Sequence, residues 1–343
     1  MKRFLALLLA TLMVMTLAAC GDSNAPVTEN GSESQDVQTE LWVTGISANL
    51  YNGEHPFYQA MVYFDEELRA RTNNKYGLDM YVSAQLGSDT EMVDGVMNGT
   101  YKFILTSSGY FANVDDIFNI FDFPYLMESY DHAHTVLDSD IGDEILASLS
   151  DYGMVGLAWG ESGFRNLTSG KTPYLTPDAL KGVKVRTMDI PMHIEAFNTL
   201  GANATPTAWA ETFTALQQGT IDCQENLNMA LVSSNLYEVQ KNVMITEHLY
   251  TPIAYVMNKD YFDSLSAEDQ AAIREAAVAA AERQRTEAKR QNDNALDEAE
   301  NTYGMTVYRD IDKSLWIDAV QPMYDKYDSQ YGDYFARIKA LVG

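Results

Sequence analysis

Short apolar runs alternate with stretches of helical period through most of this chain, and that alternation restricts its fold more than any other feature. A sequence that switches repeatedly between the two periods builds α/β lobes, not a helical bundle or a β-sandwich. Residues 41–46 form a short apolar run of the kind that makes a buried first strand. Residues 56–71 then place Phe57, Met61, Phe64 and Leu68 at helical spacing, and residues 78–82 resume a strand. A second unit follows, with a helix over 89–97 that aligns Met92, Val93 and Val96, and a strand over 101–106 after the Asn98-Gly99 turn. The aromatic-rich stretch 118–125 is assigned to the core. Residues 155–159 make a buried strand, and 160–167 carry the chain across to a second lobe that opens at 183–185. Helices over 191–200 and 209–217 end near Gly201 and Gly219, and 253–258 returns as a strand, so the lobes exchange chain more than once. From the capping pattern Ser266-Ala267-Glu268-Asp269 to about residue 301 there is no Gly or Pro. That stretch predicts one helix of about 35 residues, roughly 50 Å long and able to run along both lobes. Its Ala-rich half is expected to pack, and residues 282–290 to face solvent.

The chain begins with Lys2 and Arg3, an apolar stretch, and Leu17-Ala18-Ala19-Cys20. The apolar stretch is shorter than the roughly 20 residues a spanning helix needs, which reads as a lipoprotein signal peptide over 1–19 with Cys20 lipidated after cleavage. Residues 20–40 are polar and acidic, a flexible tether with almost nothing to bury. The body occupies 41–343, with lobe I expected at about 41–163 and 252–292 and lobe II at about 164–251 and 293–343. Of 2 cysteines, Cys20 is assigned to the lipid, which leaves Cys223 without a disulfide partner.

The formal net charge is −26, from 49 acidic and 23 basic side chains. With no clustered Lys and Arg, a nucleic-acid partner is excluded. Five scattered histidines and the absence of paired Cys ligands, an HEXXH pattern or an EF-hand loop give no metal site, and no cofactor motif is present. Gly160-Glu161-Ser162-Gly163 brings its second glycine one residue too early for a hydrolase elbow, and no pair of carboxylates is singled out for glycosidase chemistry. No catalytic residue is assigned. What stands out is a set of polar residues at element ends, Arg165, Arg186 and Asn226, where a cleft between lobes would gather them. An arginine fork donates two parallel hydrogen bonds to a carboxylate, so capture of an anion by so acidic a protein must rest on a few sheltered guanidinium groups.

At these residues the chain resembles the DctP-type solute receptors of TRAP transporters (tripartite ATP-independent periplasmic transporters), over about 41–341. The most specific stretch is LKGVKVRTMDIPMHIEAFNTLGANATPTAWAETFTALQQGTIDCQEN, residues 180–226, similar to the family's LKGLKIR strand, LGA helix end, T-P turn, E-x-Y-x-ALQ-x-G helix with Phe213 at the Tyr position, and VDGQEN. His55-Pro56, Gln85-Leu86-Gly87, Phe123-Pro124-Tyr125 and Gly163-Phe164-Arg165-Asn166-Leu167-Thr168 support it.

The resemblance implies an α/β fold of the two-lobed periplasmic-binding-protein kind (type II), with crossing strands and a long helix spanning both lobes. It implies that Arg186 grips a ligand carboxylate, that Arg165 is a second ligand arginine, and that Asn226 hydrogen-bonds the ligand. Asp89 and Ser107 are expected to meet the ligand's far end, and Trp209 to form an apolar wall. The implied partners are a small organic-acid or sugar-acid ligand, TRAP membrane subunits, and the membrane through a lipid anchor. Cys223, where the family usually has Gly, and Tyr125, where Phe is common, depart from the pattern. A secreted hydrolase acting on an anionic sugar, a receptor for an ABC importer, and an adhesion or ligand-sensing lipoprotein are the rival readings, and C4-dicarboxylates, sugar acids and other organic acids remain open as ligands.

Overall fold

A computed structural model describes residues 38–50 and 53–342. The signal peptide, Cys20 and nearly all of the tether lie outside the described residues. The chain opens with β1 (Glu40–Gly45), α1 (Pro56–Arg71), β2 (Tyr76–Tyr81), α2 (Asp89–Met97) and β3 (Phe103–Ser107). After two 3-10 stretches come α3 (Tyr130–Leu137), α4 (Asp140–Ser148) and the long β4 (Met154–Ser169). Then follow β5 (Lys184–Thr187), α5 (Pro191–Thr199), β6 (Asn203–Pro206), α6 (Trp209–Gln218), β7 (Cys223–Asn226) and α7 (Met229–Ser233). The chain closes with β8 (Asn242–Asn258), α8 (Lys259–Ser264), α9 (Ala267–Asn301), β9 (Thr306–Tyr308) and α10 (Lys313–Lys339).

Local chemistry accounts for the ends of several helices. His55 caps α1 by accepting the Phe57 amide on Nδ1 at 3.2 Å, and Pro56 occupies the first turn, where its missing N–H costs nothing. Ser88 and Glu91 form a reciprocal capping box on α2. Gly219, at φ +71°, closes α6 in the left-handed conformation that glycine adopts without strain.

Two lobes share one sheet of order β3-β8-β4-β7-β5-β6, with β9 added to β8; β1 and β2 pair in parallel beside it. β4 and β8 are the crossing strands, antiparallel from Met154↔Asn258 to Ser169↔Asn242. Their ladder shifts register between Gly156 and Ala158, between Glu161 and Gly163, and between Arg165 and Leu167. Each such bulge bends a strand and re-aims the side chains beside it. Gly163 sits at φ +111° in the second irregularity and Glu247 at φ +44° near the third.

α9 runs along both lobes. Ala276, Ala277, Ala280 and Ala281 pack it on α1 in the core of the first lobe, where small side chains let the helices approach closely, and Ala295 and Ala299 join the second-lobe cluster around Leu231 and Leu236. Residues 282–290 are not simply solvated. Gln284 is buried and bonds Glu161 N and O, and Arg285 is buried on the Trp159 carbonyl and paired with Asp138. The last helix also departs from the expected division: Trp316 and Val320 lie in the second-lobe cluster, while Met323, Tyr331, Phe335 and Ile338 pack with Phe121, Phe123 and Val136. Residues after 313 therefore belong to neither lobe alone.

Candidate functional site

Arg186 lies inside β5, paired across to Thr205 and Gln224, and its side chain is 1% exposed. Nε and Nη2 donate to the Thr207 carbonyl at 2.9 and 2.7 Å, and the guanidinium stands 5.3 Å from the Trp209 ring centroid. Among the described residues no carboxylate lies within 4.0 Å of it and Nη1 has no protein acceptor. Burial accordingly lowers its pKa, opposed by Tyr110 and Glu225. A buried guanidinium held by one carbonyl and an indole is a cation in need of an anion.

It faces a cavity of about 50 Å³ whose lining includes all six residues predicted from sequence: Asp89, Ser107, Arg165, Arg186, Trp209 and Asn226. They stand in turn on α2, β3, β4, β5, α6 and β7, and the crossing of the chain between lobes brings them together. Asn226 accepts the Leu227 amide on Oδ1 at 2.9 Å, leaving its amide nitrogen as a donor with no protein acceptor among the described residues. Asp89 is buried and accepts from Thr106 Oγ1 at 2.7 Å; burial raises its pKa, and bonds from Ser47 and Thr106 oppose the rise.

Arg165 is also 1% exposed, but it is not free. Nε donates to Glu225 Oε2 at 2.5 Å, and Nη2 donates to Glu225 Oε1 at 3.0 Å and to the Glu225 carbonyl at 2.9 Å. Burial alone would raise the Glu225 pKa, yet Arg165, His193 and His248 hold it well below the usual carboxylate range.

His55, Ser47, Phe57, Tyr110, Ser162 and Met188 also line the cavity, and the sequence reading missed them. His55 was legible in part: the His-Pro pair announces a helix start, and capping through Nδ1 fixes the neutral ring with its proton on Nε2, a donor. Burial pushes its pKa down to about 3. Past Asp89, Tyr110 and Trp209 the cavity adjoins a groove of about 630 Å³ between residues 84–91 and 206–211. A groove of about 700 Å³ along α10, near Tyr125 and Lys313, contains none of the predicted residues. Cys223 is buried in β7, and burial raises its thiol pKa, so it is an inert core residue. Among the described residues no group of His, Cys, Asp and Glu could hold a metal ion, and no helix is long and apolar enough to cross a membrane.

The chain belongs to the DctP family, bacterial extracellular solute-binding proteins of family 7, whose model matches residues 47–330. It is 36% identical over 257 residues to the 2,3-diketo-L-gulonate-binding periplasmic protein YiaO of Escherichia coli, covering 75% of this chain and 78% of that one. A TRAP periplasmic solute-binding protein of Polaromonas sp. JS666, solved with D-erythronate, superimposes with a TM-score of 0.85 at 32% identity, covering 88% of this chain and 99% of that one. One from Xanthobacter autotrophicus, solved with β-D-galacturonate, gives a TM-score of 0.82 at 32% identity over 87% and 99% of the two chains. These relatives are extracytoplasmic binding proteins, not enzymes.

Proposed function

We propose that this protein captures a sugar acid, its carboxylate on the fork of Arg186, and delivers it to the membrane subunits of a TRAP transporter. The observation that carries this reading is the buried Arg186 guanidinium, which has no carboxylate within 4.0 Å among the described residues and faces the cavity. A bound carboxylate would supply the missing charge and accept from the amide of Asn226. The other end of the ligand should carry hydroxyl groups. Arg165 is engaged by Glu225 and offers little to a second carboxylate, while Asp89 accepts from hydroxyls and repels anions. The relatives that bind erythronate, galacturonate and diketogulonate have ligands of this chemistry. Polar groups from both lobes line the cavity, so the ligand stabilises the closed arrangement by its differential affinity for it. Cys20, as a lipidated residue, would hold the receptor at the outer face of the membrane.

Thermal denaturation of the body against sugar acids and C4-dicarboxylates tests the reading. A sugar acid at 100 times its Kd should stabilise by about 2.7 kcal/mol. Selective stabilisation by succinate or malate would overturn the hydroxyl-bearing assignment, and a folded protein indifferent to every carboxylate would overturn solute capture itself.

A further inference from the structure

His193, on α5, is fully buried, and an acidic side chain faces each of its ring nitrogens. Nε2 lies 2.9 Å from Asp122 Oδ1, and Nδ1 lies 3.7 Å from Glu225 Oε1. The Nε2 contact is a hydrogen bond, whereas the Nδ1 contact is an ion-pair separation without one; a carboxylate on each side of the ring favours the imidazolium by charge. Glu225 meanwhile receives the Arg165 fork and stands 3.3 Å from His248 Nε2. The His248 Nδ1 pairs with Thr246 Oγ1 at 2.8 Å, and burial lowers the pKa of that ring, which favours its neutral form. The groups facing His193 are thus Asp122 and Glu225, with Arg165 and His248 behind Glu225. Glu195, on the same helix, pairs instead with Lys326 at the surface. Burial alone would lower the His193 pKa, but Asp122 and then Glu225 outweigh it and raise it above its ordinary value.

We propose that His193 is a positioning residue for solute capture: as the imidazolium it offsets the charge of Glu225, so that the Arg165–Glu225 pair beside the cavity adds no net negative charge against an anion held by Arg186. The proposal rests on reading the cavity as a carboxylate site. In the charged state two cations, Arg165 and His193, balance two anions, Asp122 and Glu225. When His193 loses its proton the buried group turns net negative beside the anion site, and in a medium of low dielectric that charge acts over several ångströms. Binding of an anion and retention of the His193 proton are therefore linked, each favouring the other.

The test is calorimetric titration with D-galacturonate and D-erythronate from pH 6 to 9 on the wild-type body, His193→Gln, and the double variant Asp122→Asn/His193→Gln, which keeps a side-chain hydrogen bond without the charges. Wild-type affinity should fall about tenfold as pH rises through the His193 pKa, and His193→Gln should bind about tenfold more weakly at pH 6 with a flat profile. The double variant guards against misfolding of the single one and should also give a flat profile. NMR of the histidine ring nitrogens should find His193 doubly protonated at pH 7. Wild-type affinity and pH dependence in His193→Gln, or a neutral His193 ring at pH 7, would overturn the proposal even while both acids bind. Failure of the wild type to bind either acid at any pH overturns the underlying carboxylate reading, and this proposal with it.

Discussion

Arg165 and Arg186 are buried to the same degree beside one cavity, yet their partners differ. Arg165 is paired within the protein by the side chain and carbonyl of Glu225. Arg186 has a carbonyl and an aromatic face and no counter-ion among the described residues. Burial therefore does not tell the two apart; the identity of the acceptor separates a guanidinium paired with a carboxylate of the protein from one without a counter-ion among the described residues.

The largest expected effect is on the paired arginine. Glu225→Ala leaves Arg165 buried and uncompensated, and urea denaturation should find about 3–5 kcal/mol of stability lost. Arg186→Ala removes a charge that has no carboxylate counter-ion among the described residues and leaves only the Thr207 carbonyl without its donors. The ligand-free protein should unfold within about 1 kcal/mol of wild type, while calorimetry finds sugar-acid binding weakened by about 2–5 kcal/mol. Equal instability of the two variants would erase the contrast between the arginines. Arg186→Lys sharpens it, because an ammonium cannot hold the Thr207 carbonyl and present a planar fork at once; binding should still fall by about 1.5–3 kcal/mol.

An effect spread over several pH units concerns His55, which lines the same cavity as these arginines. Its folded pKa of about 3 lies below its ordinary 6.5, so on acidification the unfolded chain takes up a proton that the native ring refuses. Stability from this group should fall by up to about 1.4 kcal/mol per pH unit below 6.5, levelling near pH 3. His55→Gln should remove that part of the acid slope; an unchanged slope would mean the ring titrates normally. Glu225 acts at lower pH: with its folded pKa depressed, its contribution is present above about 4.5 and is lost as pH falls through the folded value.

Much of this was legible in the sequence. The helices at Pro56–Arg71, Asp89–Met97 and Ala267–Asn301 follow from period and caps, since those signals lie within a few residues of one another. Other features depend on contacts distant in sequence. β8 was expected only over 253–258, because its earlier half, through Glu247, His248 and Tyr250, mixes polar residues that are accommodated by pairing with β4. α10, a stretch to which no element was assigned, carries Pro322 and Gly332, and packing against both lobes sustains it. The site residues were identified through their resemblance to a family motif, which marks Arg165 and Arg186 alike. That Glu225, 60 residues away, occupies one of them is a fact of β4 lying beside β7.

Trp209, half-buried over the Arg186 guanidinium, gives the molecule an optical property. The other three tryptophans, Trp42, Trp159 and Trp316, are sealed in the core at 1%, 4% and 1% exposure, and they supply a steady fluorescence background. A solute that enters beside the remaining indole displaces water from it and changes the field of the adjacent cation. Its emission should move to shorter wavelength while the other three stay constant, so that the unlabelled protein reports its own occupancy.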